Sequence, residues 1–409
     1  MRTLHEAALG VLPEDLTPAA GSQGGGAAMT GPGTTQSAVS RGQQARTGRA
    51  GAVRFAAGRA LPLLVRGRSG GARPAFSADA LRALRARHGG APVLLRGLSG
   101  AVLVLLDRQE LRQFYEAEPA AVLSPGPGGV RSCAAVRAVI AEEARHLTAA
   151  ATLDLARTRH TVARAARRIV LGDGAAAGAE QLPGLLGRLR RRGRERAAGA
   201  DGHTLLGQGM PGHGMLGHPA AYADREEQTL RAMDGIPATM LRTLLLLGTH
   251  PAEQDAAAAE AAGRGAPEEL PRLRACVREC LRLYPAVPDL IRVTRTETEW
   301  RGVRHPAGTT VLLPAHFHQR DPEQVPAAHV FVPGRWKTPG ADEDIRMAPF
   351  GHGPGRCPGD RLGLLITTAL CAEVLRRRRI TATRPVLDPH GPLPLALDPR
   401  GIRLTLTRR

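Results

Sequence analysis

Aromatic residues are scarce in this 409-residue chain: six Phe, three Tyr and two Trp, 3% in all. That excludes a surface that binds single strands by stacking bases on rings. It also leaves a core to be filled mainly by aliphatic side chains. Lysine is nearly absent, so arginine supplies almost all of the 56 basic residues and the formal net charge of +19. The arginines are spread over the whole length, with no zinc-finger spacing among them. No nucleic-acid partner is therefore expected, and the basic balance suits an acidic partner instead. Cysteine is sparse and odd in number: Cys133, Cys276, Cys280, Cys357 and Cys371. This spacing excludes a disulfide framework and a four-ligand zinc site. Cys276 and Cys280, four apart in a helical pattern, are expected to face the core together. No apolar run reaches the roughly 18 residues needed to span a bilayer, and the N-terminus has no apolar signal core. A soluble, cytoplasmic, monomeric protein without a membrane partner is expected.

What the chain does have is glycine, concentrated in Phe350-Gly351-His352-Gly353-Pro354-Gly355-Arg356-Cys357-Pro358-Gly359. Gly351, Gly353, Gly355 and Gly359 permit positive φ and close backbone approach, as a tight loop under a flat ligand requires. Cys357 stands where a helix begins, and the unpaired N–H groups there favour a thiolate. Such a thiolate is a strong axial ligand for haem iron. Taken alone, the run also reads as a surface loop with an inert cysteine.

The run resembles the haem-binding loop of the cytochrome P450 family, whose pattern FxxGxxxCxG is met by Phe350, Gly353, Cys357 and Gly359. The family's basic residue two places before the cysteine is Gly355 here, and the arginine comes one place later, at Arg356. The resemblance implies a mainly α fold with small β-sheets, centred on haem b, over residues 52–409. It implies Cys357 as the metal ligand, with Phe350, Gly351, Gly353, Arg356 and Gly359 around the cofactor. Residues 1–51, poor in large apolar side chains, read as a disordered segment.

Further along the chain the local patterns are clear. Ser77 to Arg87 reads as a helix with Ser77 as its N-cap. Residues 92–96 and 101–106 read as strands, and Asp107 can cap a helix to about Glu116. Val130 to Ala166 reads as two or three helices, and Leu182 to Arg194 as another. Residues 195–222, rich in Gly, His and Met, fall where the family places its substrate lid.

Asp224 to Gly248 reads as one helix of roughly 37 Å, kinked at Pro237. Counted back from His250-Pro251, Asp234 falls at the family's distal acid and Gly235 at its threonine, so Asp234, Gly235 and Thr239 are the catalytic candidates. Thr239 has a competing role, capping its own i−4 carbonyl, and Asp234 also reads as a solvated helix residue.

Glu279 and Arg282 share a helix face. With Tyr284-Pro285 behind them they resemble the family's ExxR segment, and Arg335 in Phe331-Val332-Pro333-Gly334-Arg335-Trp336 resembles its later partner. The resemblance implies a buried structural cluster of Glu279, Arg282 and Arg335. Arg292, then Arg295, are the candidate propionate ligands. Arg376 to Arg379 read as the solvated end of the last helix. Residues 393–397 and 402–406 read as a terminal hairpin, whose Leu393-Pro394-Leu395 reaches a substrate pocket.

The family resemblance thus implies a monooxygenase acting on a small molecule, fed by a ferredoxin and ferredoxin reductase. Two other readings stay open. The missing threonine suits a peroxide-driven or non-oxygenating haem-thiolate enzyme, and Gly355 with the glycine-rich 195–222 segment suits a haem-binding protein without activity.

Overall fold

Ser77 opens the first helix, α1 (Ala78–His88), by accepting from the Ala80 N–H at 3.2 Å. Gly89 ends it in the left-handed region, at φ +58°, where a side chain is strained. The computed structural model describes residues 74–97, 100–116, 133–173, 230, 233–263, 269–357 and 359–409. The expected disordered segment 1–51, the helix 182–194 and the 195–222 lid lie outside the described residues.

Strands β1 (Val93–Gly97) and β2 (Gly100–Val104) pair antiparallel. Asp107 then accepts from the Gln109 N–H and starts α2 (Gln109–Glu116). The helical stretch after residue 130 divides into α3 (Cys133–Ala149) and α4 (Leu155–Leu171). A short strand, β3 (Thr152–Asp154), lies between them, and no alternation long enough to reveal it exists in three residues.

The helix α5 (Ile236–Thr249) is buried at every residue except Gly248. A helix this rich in leucine on all sides has to sit inside a core, and its one charged residue, Arg242, is buried with it. Leu241, Leu244, Leu245, Leu246 and Leu247 have no exposure at all, and each such burial stabilises by about 1.5–3 kcal/mol. The expected kink at Pro237 is not found. The break comes earlier, as one 3-10 turn at Met233–Gly235. Pro237 falls in the first turn of α5, where a missing N–H costs nothing, so it starts the helix and does not bend it.

Helices α6 (Pro251–Ala262) and α7 (Pro271–Leu283) follow, and α7 buries Cys276 and Cys280 as expected. Next come β4 (Leu290–Val293), β5 (Thr298–Trp300), β6 (Val303–His305), β7 (Thr310–Leu313) and the single turn α8 (Ala315–His318). The last helix, α9 (Asp360–Arg377), runs directly into β8 (Arg378–Arg384), and β9 (Arg403–Arg408) ends the chain.

Three small sheets result among the described residues. One has the order β1-β2-β7-β4, with β2 and β7 parallel; the others are β3-β9-β8 and β5-β6. The main core joins α3, α4, α5, α6, α7 and α9. This is the mainly helical architecture with small sheets that the sequence implied.

The C-terminal expectations need two corrections. Residues 393–397 form no strand, and β9 pairs instead with β8 and β3. Pro392 and Pro394 lack the N–H groups a ladder needs, whereas Ile380 and Thr383 are β-branched. Of the arginines expected as the solvated end of α9, Arg376 and Arg377 are exposed, whereas Arg378 and Arg379 are half-buried at the start of β8. Arg376 donates to Ala261 O at 2.8 Å, Arg378 to Thr148 O at 2.7 Å, and Arg379 to Asp255 at 2.9 Å.

Two substitutions test this packing. A Cβ on Gly248 would lie 2.6 Å from Ile380 Cγ2 and 2.8 Å from Thr383 Cγ2. Alanine gains about 1 kcal/mol of helix propensity over glycine, but overpacking costs about 1–3 kcal/mol. Gly248→Ala should therefore lower the Tm, and a raised Tm would contradict the contact. The second concerns Glu143 in α3, which is 1% exposed and accepts from Arg164 at 2.9 Å and Arg168 at 2.8 Å of α4. Burial pushes this carboxyl up, but the two guanidinium hydrogen bonds outweigh it and hold it below its ordinary 4.5. Its stabilising effect is thus present above pH 4.5 and is lost as pH falls through the lower folded value. The Tm difference between the native chain and Glu143→Gln should shrink on acidification below 4.5, and a constant difference would rule this out.

Candidate functional site

The glycine-rich run folds as the sequence requires at two of its glycines. Gly351 and Gly353 take φ of +75° and +62°. A Cβ on Gly353 would lie 2.6 Å from the backbone oxygen of Tyr115 in α2, so the loop can approach that helix only with glycine there. The Gly351 N–H donates to Ala348 O at 2.9 Å and the Cys357 N–H donates to Phe350 O at 2.8 Å, which closes the loop on itself. The Phe350 ring packs on Val277, Leu281 and Leu364, from α7 and α9.

Cys357 is half-buried, just ahead of α9, whose N-cap is Gly359. Burial pushes its thiol up, the Gly359 N–H and Arg356 pull it down, and Asp360 pushes it up again. The net direction is upward, so the helix terminus alone does not make the thiolate expected from sequence. A metal cation at the sulfur would, because it deprotonates a coordinating thiol outright. The described residues hold no group of three or more His, Cys, Asp or Glu able to bind a metal ion. The donor set is one sulfur at the mouth of a helix, which suits an axial thiolate.

Beneath the loop lies a buried charge cluster. Glu279 and Arg282 of α7 are both fully buried. Arg282 donates to Glu279 through Nε at 3.0 Å and Nη2 at 2.9 Å, and Arg335 adds a bond at 3.2 Å. The remaining Arg282 hydrogens reach Gln319 O, Ala328 O and Val330 O. Arg335 reaches Pro326 O and Ala327 O. Two donors to Glu279 were missed from sequence: Trp336 Nε1 at 2.9 Å and the Val332 N–H at 3.0 Å. The signal for the first was present, since a buried indole N–H needs a partner.

The other candidates are distributed as follows. Arg292 of β4 is half-buried, donates to Phe114 O of α2 and lies 4.3 Å over the Phe114 ring; Arg295 is exposed. Arg356 pairs with Asp360 at 2.8 Å. Both line an open groove of about 550 Å³ with Arg274, Arg278, Asp342 and Arg361. Asp234 is exposed in the 3-10 turn, and Gly235 adjoins it before α5. Thr239 donates to Gly235 O at 2.9 Å, which is the capping role weighed against catalysis. Leu393 and Pro394 are gripped by their carbonyls, through Arg320 at 2.8 Å each and Tyr284 at 3.1 Å.

Comparison with known proteins bears directly on this site. The family model described as Cytochrome P450 matches residues 230–406, which contain the acid at 234, the Glu279 cluster and the cysteine loop. Through these residues the chain is similar to the cytochrome P450 family. Members of this P450 family bind haem b through a cysteine thiolate, and the single sulfur donor at Cys357 fits that group. Among curated relatives, the chain is 38% identical over 176 residues to cyclooctat-9-en-7-ol 5-monooxygenase of Streptomyces melanosporofaciens. It is 31% identical over 185 residues to human mitochondrial 25-hydroxyvitamin D-1 alpha hydroxylase. These matches cover 38% and 42% of this chain, and they span only 38% and 35% of the relatives' own lengths. A zebra fish cytochrome P450 structure with abiraterone matches at a TM-score of 0.56 and 19% identity, over 81% of this chain and 99% of that one. That likeness shows the fold.

Removing the Glu279 carboxylate would leave the fully buried Arg282 and the half-buried Arg335 without their counter-charge. Breaking a buried pair in this way costs about 3–5 kcal/mol. Glu279→Ala should lower the Tm sharply or abolish soluble folded protein, whereas a Tm close to the native chain's would show that the cluster holds little.

Proposed function

We propose that this chain is a haem-thiolate monooxygenase. It inserts one oxygen atom from O2 into a small organic substrate, with electrons from a ferredoxin and its reductase. The observation that carries the reading is the Cys357 sulfur, in a glycine loop closed by Phe350 O and backed by the Glu279 cluster. Haem b, when bound, supplies the oxygen chemistry. The chain's own residues do the rest. Cys357 would supply the sulfur ligand, and the Gly359 N–H would help hold its charge. Asp234 stands at the edge of the α5 turn as the acid. The groove sets Arg274, Arg278, Arg356 and Arg361 against Asp342, Glu343 and Asp360, and its small positive excess suits an acidic electron donor.

Val287, Ile291 and Val293 are 56%, 41% and 58% exposed along the segment that leads through β4. Ile291 and Val293 share one face of the strand. This apolar strip supports a small, largely apolar substrate. The names of the two relatives, which specify cyclooctat-9-en-7-ol and 25-hydroxyvitamin D, lie in the same broad class. Cys276, Cys280 and Cys371 are free and buried, which suits a reducing cytoplasmic setting.

The test is an absorbance spectrum of the hemin-supplied protein, reduced and treated with CO. The band typical of thiolate ligation should appear and should be lost in Cys357→Ala. A protein that stays colourless, or keeps the band without the cysteine, would end this reading.

A further inference from the structure

Position 235 is where a hydroxyl is expected, and the structure gives that space to a different residue. A Cβ built on Gly235 would lie 3.0 Å from the Ala286 Cβ, well inside an ordinary carbon–carbon contact of about 3.5–4.0 Å. Ala286 belongs to the segment that leaves α7. It packs on Val277, Leu281 and Leu364, the same cluster that carries Phe350 of the cysteine loop. One methyl group therefore meets both the turn before α5 and the apolar bed of the loop.

The hydroxyls further along α5 do not stand in for a side chain at 235. Thr239 donates to Gly235 O at 2.9 Å, and Thr243 donates to Thr239 O at 2.8 Å. Both are committed to carbonyls one turn back within their own helix, and both threonines are buried. Asp234, by contrast, is exposed beside this packed contact.

We propose that Ala286 is a positioning residue for Asp234. Its methyl fills the volume that a side chain at 235 would occupy, sets how closely the 3-10 turn approaches the segment after α7, and so fixes where the acid stands relative to the cysteine loop. Gly235 is then the surface that receives Ala286, and a side chain can enter at 235 only if that methyl gives way by a few tenths of an ångström. This rests on the monooxygenase reading above.

Two measurements test it. The first is thermal unfolding of the full chain carrying Gly235→Thr, Ala286→Gly or both. The threonine should lower the Tm, and the added glycine should restore much of the loss, because the two changes share one contact. Additive Tm changes would overturn the steric coupling. The second uses hemin-loaded protein and the peroxide-supported oxidation of guaiacol, which needs neither the natural substrate nor an electron donor. Asp234→Asn and Ala286→Gly should each lower the rate several-fold at unchanged CO-spectrum amplitude. The double variant should lose no more than the worse single one. An Ala286→Gly rate equal to the native rate, or independent losses that multiply, would overturn the positioning role. A chain that takes up no haem would sink the functional reading and the positioning role with it, while the Tm series would still decide whether the contact exists.

Discussion

The Glu279 carboxylate is the constraint on which the C-terminal half depends. It sits fully buried and accepts from Arg282, Arg335, Trp336 and the Val332 N–H. A buried charge is tolerated only when it is paired and its lone pairs are satisfied. Here that requirement ties α7 to the irregular chain from 326 to 336. Arg282 extends the tie by binding three carbonyls between 319 and 330. A segment whose regular structure is limited to the 3-10 stretch Pro333–Lys337 is thereby given one path. The cysteine loop, which follows it, inherits a fixed base.

Above that base the loop is shaped by backbone rather than by side chains. Gly351 and Gly353 take left-handed φ values, and Gly353 lets the chain touch α2 at Tyr115. The sulfur that emerges is half-buried and feels opposing influences: burial and Asp360 on one side, the Gly359 N–H and Arg356 on the other. Arg356 is held by Asp360 and lines the surface groove, so the arginine beside the cysteine belongs to the outer face of the site.

A second pattern concerns arginines without carboxylates. Arg242 of α5 is buried and donates through two nitrogens to Leu397 O, and Arg320 grips Leu393 O and Pro394 O. Their guanidiniums lie 5.7 and 5.5 Å from the centroid of the Tyr284 ring. Carbonyl dipoles and an aromatic face take the place of anions. This clamp explains why 393–397 leaves the terminal sheet. Its backbone oxygens are drawn inward, and Pro394, like Pro392 just before it, cannot donate to a ladder.

Local sequence determined a good deal. Capping by Ser77 and Asp107, the end of α1 at Gly89, the two strands after it and the all-round burial of α5 follow from signals a few residues long. The glycine spacing around Cys357 and the three-residue spacing of Glu279 and Arg282 are equally local, because steric freedom and helix geometry act at that range. Contacts between distant segments were decided only by the tertiary structure. Pro237 starts a helix because the break falls at 233–235. Thr239 turns back to Gly235, Arg356 turns to Asp360, and Arg378 begins a strand because β9 is there to pair with it. Trp336 joins Glu279 across 57 positions of chain. The physical reason is common to all of them: a side chain with several available partners takes the one that packing brings within about 3 Å, and only the folded chain sets that distance.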